Sequence, residues 1–312
     1  PCAAPAADAP LLLEEVVTSA SRSEQRVLDT AASINVVNSQ QIHDGQAEQN
    51  LSEPLARAPG IFALNRQNYA QDLLISSRGF GANSTFGARG IKLYVDGIPG
   101  TMADGQGQIS HIDLVSAERI EVMRGPFSSL YGNSAGGVIN VFTQNGGPGH
   151  NATPYFSAGS YGQRKYGLMV DGGQGNFNYV LDAGLLHTNG YRDHSNADRQ
   201  NDNLKLGLKL GADTTLGVVA NNVSLRAFDP LGLTAAQLQA NAAGAGTNAI
   251  AFNTRKSVDQ SQGGLVLTHR FGGNDTLTVT PYYGERHTIQ YLATGANGVI
   301  ASNDEVRLSF KT

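Results

Sequence analysis

Two rhythms of apolar and polar positions divide the chain. From residue 152 to 312 they alternate with period two. Leu204, Leu206, Leu208 and Leu210 alternate with Lys205, Gly207 and Lys209, and Tyr179, Leu181, Ala183 and Leu185 alternate with Val180, Asp182 and Gly184. Leu277 and Val279 stand among Thr276, Thr278 and Thr280, and Val306, Leu308 and Phe310 among Arg307, Ser309 and Lys311. Period two puts each set on one face of a strand. The pattern predicts eight strands, over 154–161, 164–173, 177–189, 201–211, 214–227, 258–271, 275–290 and 304 to the end. Most run ten residues or more, against ~5–6 in ordinary soluble sheets. That length suits a tilted membrane crossing of roughly 9–11 residues. Short connections (173–176, 211–213) alternate with long ones (189–199, 229–254), as in barrels with short inner turns and long outer loops. A soluble β-sandwich also alternates; strand length and loop asymmetry favour the barrel.

Before residue 148 the rhythm is mixed. Strands are predicted at Ser33–Val37, Leu73–Ser76, Ile91–Val95, Ile120–Met123 and Val138–Thr143. A helix is predicted to start at Ser39 as N-cap, and another to span 50–57 with Leu51 and Leu55 one turn apart, ended by Pro59-Gly60. Asp96-Gly97 predicts a tight turn, Gly125-Pro126 starts another, and Ser128–Tyr131 predicts one helical turn. Residues 31–147 thus read as one compact unit. Residues 1–12 are rich in Ala and Pro, and 13–30 carry the short apolar patch Val16-Val17 in a polar linker, so that 1–30 forms a flexible N-terminal segment.

Composition narrows the function classes. A formal net charge of −4 gives no basic footprint for nucleic acid. The single cysteine, Cys2, excludes an intramolecular disulfide and reads as a remnant of trimming rather than a lipid anchor. With no initiator Met and no apolar signal core in view, the chain reads as processed or trimmed. No window approaches the ~20 apolar residues of a membrane helix, which leaves a barrel open. The histidines are scattered, so no metal site is predicted. No nucleophile–base constellation supports catalysis, and Tyr131 to Gly137 lacks the Lys-Ser/Thr ending of a phosphate loop.

Four ordered motifs carry a resemblance: Arg78-Gly79-Phe80-Gly81, Ile91 to Pro99 (IKLYVDGIP), Arg119 to Pro126 (RIEVMRGP) and Leu130 to Asn140 (LYGNSAGGVIN). Together they resemble the plug signature of TonB-dependent outer-membrane receptors. The stretch Glu15, Val16, Val17, Thr18 resembles their TonB box. The stretches Asn65–Asp72, Thr101–Gln108, Gly190–Ser195 and Gly284–Tyr291 are similar to the YncD-type (PqqU) receptors, which import pyrroloquinoline quinone. Ala103 stands where that subfamily usually has Pro.

The resemblance implies an α+β plug domain (31–147) followed by transmembrane antiparallel β-barrel strands (152–312), part of a 22-stranded barrel. Eight strands cannot enclose a plug of over a hundred residues, so the chain reads as a fragment. It implies TonB-driven import of a small anionic ligand, without cofactor, metal or catalytic residue. The partners implied are TonB, with ExbB and ExbD, through the box, and outer-membrane lipid. The implied receptor is a monomer in the bacterial outer membrane with a periplasmic N-terminus. A ferric-siderophore receptor is the alternative; a passive pore is the alternative of another class. Candidate ligand contacts are the polar loop residues Arg66, Gln67, Asn68, Tyr69, Gln106 and Gln108, with Arg286 and Tyr291 from the barrel: Arg and amide donors suit carboxylates, and Tyr offers a stacking face. Arg78, Glu118, Arg119, Glu121 and Arg124 form the expected ionic latch of the plug, paired with one another or with the barrel wall.

Overall fold

The structure, a computed structural model, describes residues 16–17, 25–26, 30, 33–84, 87–101, 105–124, 131–132, 134–272, 275–294 and 298–311. Glu15, Thr18, Met102–Asp104, the Gly125-Pro126 turn and the helical turn from Ser128 to Leu130 lie outside the described residues.

In the N-terminal unit, β1 (Val16–Val17) pairs antiparallel with β2 (Gln25–Arg26). Then come β3 (Ser33–Asn38), α1 (Ser39–His43), α2 (Ser52–Leu55), β4 (Ile61–Leu64), β5 (Leu74–Ser77) and β6 (Ala88–Arg89). β7 (Ile91–Val95), β8 (Ile98–Pro99), β9 (Gln106–Gly107), β10 (Ala117–Arg124) and β11 (Gly137–Thr143) complete it. Five strands form a mixed sheet in the order β3-β10-β11-β7-β8, with β11 and β7 parallel. Asp96 and Gly97 both have positive φ, +47° and +84°, the two-residue turn that their sequence predicts between β7 and β8. One face of the sheet packs Leu93, Val95, Ile120 and Ile139 against Ile42, Leu55 and Ile75 from α1, α2 and β5. The opposite face packs Ile34, Tyr94, Met123 and Val138 against Val17.

Two helix expectations need correction. Asn38, not Ser39, is the N-cap of α1: its side chain accepts from Gln41 N, and the Gln41 side chain returns to Asn38 N. This is a capping box, and the preceding residue wins because its extended φ/ψ aims its oxygen at the N3 amide. The 50–57 helix contracts to Ser52–Leu55, because Arg57 N and Ala58 N bond three residues back, to Pro54 and Leu55.

The C-terminal part is a sheet of eight antiparallel strands in chain order: β12 (Gly149–Ala158), β13 (Arg164–Gln174), β14 (Phe177–Thr188), β15 (Ala197–Lys209), β16 (Thr214–Phe228), β17 (Arg255–Arg270), β18 (Thr276–Leu292) and β19 (Val299–Lys311). Between β16 and β17 lie two short helices, α3 (Ala235–Ala240) and α4 (Thr247–Ala251). β12 starts at Gly149 and not at 154; Pro154 hides it in the sequence but is tolerated in a strand paired on one side only. β15 starts at Ala197 and not at 201, because its polar first turns continue the backbone ladder beyond the apolar stretch.

The alternation sorts cleanly. Leu181, Leu185, Leu208, Leu265, Leu267 and Leu277 face outward, exposed, while Val180, Asp182, Leu186, Val219, Val223, Leu225, Val258 and Gln260 are buried. Lys165, Lys205 and Lys256 from this inner face reach the N-terminal unit, which is therefore seated on the wall.

Candidate functional site: the seam between unit and wall

Three lysines on alternate strands clasp three carboxylates. Lys256 on β17 meets Asp72 at 2.7 Å, Lys165 on β13 meets Glu48 at 3.3 Å, and Lys205 on β15 meets Asp96 at 3.1 Å. Lys165 also donates to the Glu48 carbonyl at 3.0 Å, and Lys205 to the Thr143 carbonyl at 2.7 Å. Each strand supplies them by parity: a lysine in phase with the inward residues points into the seam. The amides Asn201 and Asn203 add bonds to Ser110 O and Ser116 Oγ.

Glu48 is itself held from behind. His43 Nδ1 lies 2.6 Å from its carboxylate and His43 Nε2 lies 2.8 Å from Ala117 O. An acceptor at each ring nitrogen stabilises the imidazolium, so the Glu48 hydrogen bond, against opposing burial, raises the His43 pKa above 6.5. Burial opposes ionisation of Glu48, but the bonds from His43 and the charge of Lys165 outweigh it and hold the carboxyl below 4.5. The neighbouring Glu53 carboxylate accepts from the amides of Glu48, Gln49 and Asn50, each at 2.8 Å, which fixes the segment carrying Glu48.

This triad has a pH signature. The raised His43 pKa contributes stability that is complete below pH 6.5 and is lost as pH rises through the folded value. The lowered Glu48 pKa contributes stability present above pH 4.5 and lost as pH falls through the folded value. Stability of the seam is therefore expected to fall on the alkaline side of pH 6.5, and His43→Gln to flatten that slope. Thermal melts from pH 6 upward on both forms read it; parallel profiles would remove the triad's role.

The expected ligand residues separate into two groups. Arg66 and Gln67 are exposed at the tip of the 65–73 loop, Gln67 with φ +52°. Asn68 and Tyr69 are spent on anchoring. Asn68 donates to Asp229 at 2.8 Å, and Gln71 donates to the other Asp229 oxygen. Tyr69 donates to Gln49 at 3.1 Å and lies beneath the Arg199 guanidinium. Ala70 packs with Ala197, Leu225 and Val258 of the wall. Gln108 accepts from Arg286 at 2.8 Å, and Arg286, also bonded to Ser110 and Gln260, is a bolt between unit and wall. Gln106 pairs with Arg89 across β6 and β9, its side chain over Gly87. Tyr291 carries Arg255 on its ring at 3.4 Å, near the outer end of β18. The cavity beneath the loop, about 50 Å³ and lined by Gln49, Arg66, Tyr69, Asp72 and Arg199, has room for a water or two and not for a ligand.

The expected latch is likewise two separate groups at opposite ends of β10. Arg119 contacts Glu121 at 2.9 Å and Glu118 at 3.6 Å and stacks on Phe142. Arg124 donates to Pro59 O, and its guanidinium and the Arg78 side chain both pass over Gly60. The carboxylates that meet the wall's lysines are Glu48, Asp72 and Asp96, which sequence reasoning missed. Their partners were legible: Lys205 stands out of phase with the Leu204–Leu210 run, which marks it as inward.

The N-terminal segment, expected to be flexible, seats Val17 against the underside of the sheet, 1 % exposed. In this arrangement Val17 is covered by Ile34, Tyr94, Met123 and Val138.

Residues 26–138 match the family described as the TonB-dependent Receptor Plug Domain. This unit is a plug domain. The wall behind it is a partial sheet of the kind found in TonB-dependent receptor barrels. Over 91% of the chain the fold follows the ferric citrate transporter FecA in its unliganded form, with TM-score 0.75 and 19% identity. Over 92% it follows the FpvA–pyoverdine complex from P. aeruginosa, with TM-score 0.70 and 18% identity. The vitamin B12 transporter BtuB of Vibrio vulnificus (strain CMCP6) is 33% identical over 153 residues, 49% of this chain and 24% of that protein. The chain covers 44% of FecA and 39% of FpvA, less than half of each.

Proposed function

We propose that the whole protein is a monomeric TonB-driven importer of the bacterial outer membrane that carries a small anionic ligand inward without a catalytic step. The observation that supports this best is the plug seated by charged clasps on the inner face of a wall whose outer face is apolar and exposed. A passive pore has no use for such an occupied lumen. The box residues Val16 and Val17 would pair with TonB by strand addition on the periplasmic side, with ExbB and ExbD as the energy source. That pairing first requires Val17 to leave its pocket.

The ligand class we favour is pyrroloquinoline quinone. Arg66 and Gln67, free at the loop tip, offer donors to a polycarboxylate, and the loop resembles that of the quinone receptors. A larger chelate, cobalamin or a ferric siderophore, is the second reading, favoured by the names of the relatives. Calorimetry on the whole protein with pyrroloquinoline quinone, vitamin B12 and a ferric siderophore separates them. Quinone binding that weakens about tenfold in Arg66→Ala, a loss of about 1.4 kcal/mol, supports the first reading. Binding of vitamin B12 or the siderophore alone removes it and leaves the importer standing.

A further inference from the structure

The outward face of the wall changes character along a sharp line, and a notch sits on it. Strand pairing places Leu181, Leu204, Ala220, Gly263 and Tyr283 in one row across β14 to β18. The next outward row, toward the long loops, is Ala183, Asp202, Asn222, Ser261 and Glu285. The apolar row therefore ends directly beneath a polar one. At its centre Ala220 and Gly263 offer little or no side chain between the bulky Leu204 and Tyr283. The result is an open depression of about 490 Å³ with an apolar floor and a polar rim.

Backbone sterics constrain the gap only weakly: a Cβ there needs a shift of a few tenths of an ångström. A Cβ at Gly263 would meet nothing nearer than Val219 O at 3.3 Å and Ala220 Cβ at 3.5 Å. The next residue is the contrast: a Cβ at the inward Gly264 would strike Pro281 O at 2.8 Å and Ile98 at 2.9 Å. Packing demands glycine at 264 far more than at 263, where the open notch is the main consequence of the missing side chain.

The rim is acidic and uncompensated. One row higher, Asp259 pairs with Arg226 at 2.7 Å and Asp304 with His287. Asp202 and Glu285 have no cationic partner among the described residues. Asp202 accepts through one oxygen from Gln200 at 2.9 Å and Asn222 at 3.1 Å, Ser261 donates to Asn222 at 2.8 Å, and Tyr283 donates to Glu285. Among the described residues no donor reaches the second Asp202 oxygen. Asp202 and Glu285 flank the Asn222–Ser261 centre, each one strand, about 4.8 Å, to the side.

We infer that the notch holds one acyl chain of a membrane lipid whose headgroup ends in a primary ammonium, received by the rim carboxylates Asp202 and Glu285. The apolar floor selects a chain, and the rim selects positive charge with hydrogen-bond donors over an anionic headgroup. The inference rests on reading the wall as part of a membrane barrel.

The test uses the whole protein, delipidated and inserted into vesicles of phosphatidylcholine with added phosphatidylethanolamine or phosphatidylglycerol. Retained lipid is then counted by native mass spectrometry. Phosphatidylethanolamine is expected to remain in preference to both others. Gly263→Leu, which fills the notch from the lipid side, is expected to lower its retention about tenfold. Asp202→Asn with Glu285→Gln is expected to abolish the preference for the ammonium while leaving the chain-binding floor intact. Equal retention of phosphatidylethanolamine and phosphatidylglycerol, or unchanged retention in Gly263→Leu, overturns the inference with the barrel intact. Failure of the protein to become protease-protected on insertion removes the barrel reading and the notch with it.

Discussion

Asp96→Ala is expected to destabilise the seated plug by about 3–5 kcal/mol, the cost of removing one partner from a buried ion pair. Asp96 does more than meet a lysine. Its carboxylate accepts from Thr143 N at 3.1 Å, from the Thr143 hydroxyl and from Lys205 Nζ at 3.1 Å, and it is nearly buried. Alanine orphans the β11 amide and leaves Lys205 with only the Thr143 carbonyl. It also places a side chain unsuited to the left-handed region at φ +47°, where Asn and Asp are favoured. Asp96→Asn keeps the turn and one acceptor and is expected to fall between. Urea unfolding of the whole protein, with Lys205→Met and the double variant to close a cycle, measures the coupling. A loss under about 1 kcal/mol, the range of an exposed pair, would mean that the clasp is solvated and holds nothing.

Leucine at Gly264 is expected to unseat the plug locally, at a cost of about 3 kcal/mol, the upper end for overpacking. The inward Cβ would already collide with the Pro281 carbonyl and with Ile98 of the plug. Limited proteolysis reads this directly, since a lifted β7–β8 hairpin becomes cleavable. Gly263→Leu is the internal control: one residue away and outward, it leaves the plug protected. If both variants protect equally, the assigned facing of β17 is wrong.

What could be read beforehand follows from which forces leave a periodic trace. The wall was legible because outward leucines and seam-side polar groups must alternate, and β13, β14 and β16 end within two residues of their predicted bounds. Its margins were not, because Ala197–Gln200 and Gly149–Thr153 carry no alternation of apolar and polar residues. The Asp96-Gly97 turn was legible because both positions demand positive φ. The site was read less well. Exposed Arg66 and buried Arg286 look alike as symbols; only the third dimension shows that Arg286 is consumed by Gln108, Ser110 and Gln260. The clasp carboxylates sit outside any periodic run: Glu48 and Asp72 lie in loops, and Asp96 in a turn where Asp is common for local reasons. The lysines opposite them carried the clearer signal.

The three clasps lie at different levels of the wall. Counted along β17, Lys256 is eight residues from Gly264, which shares a row with Lys205 through Val219, or about 26 Å along the strand. They also hold different plug segments: Asp96 belongs to the sheet under which Val17 docks, while Glu48 and Asp72 belong to loops on its other side. A force delivered at the Val17 end is therefore not shared equally among them. The sheet clasp would take the load first and the loop clasps would follow, so a pull would open the clasps one after another, as a zipper, with the work spread over distance and the peak tension near that of one clasp.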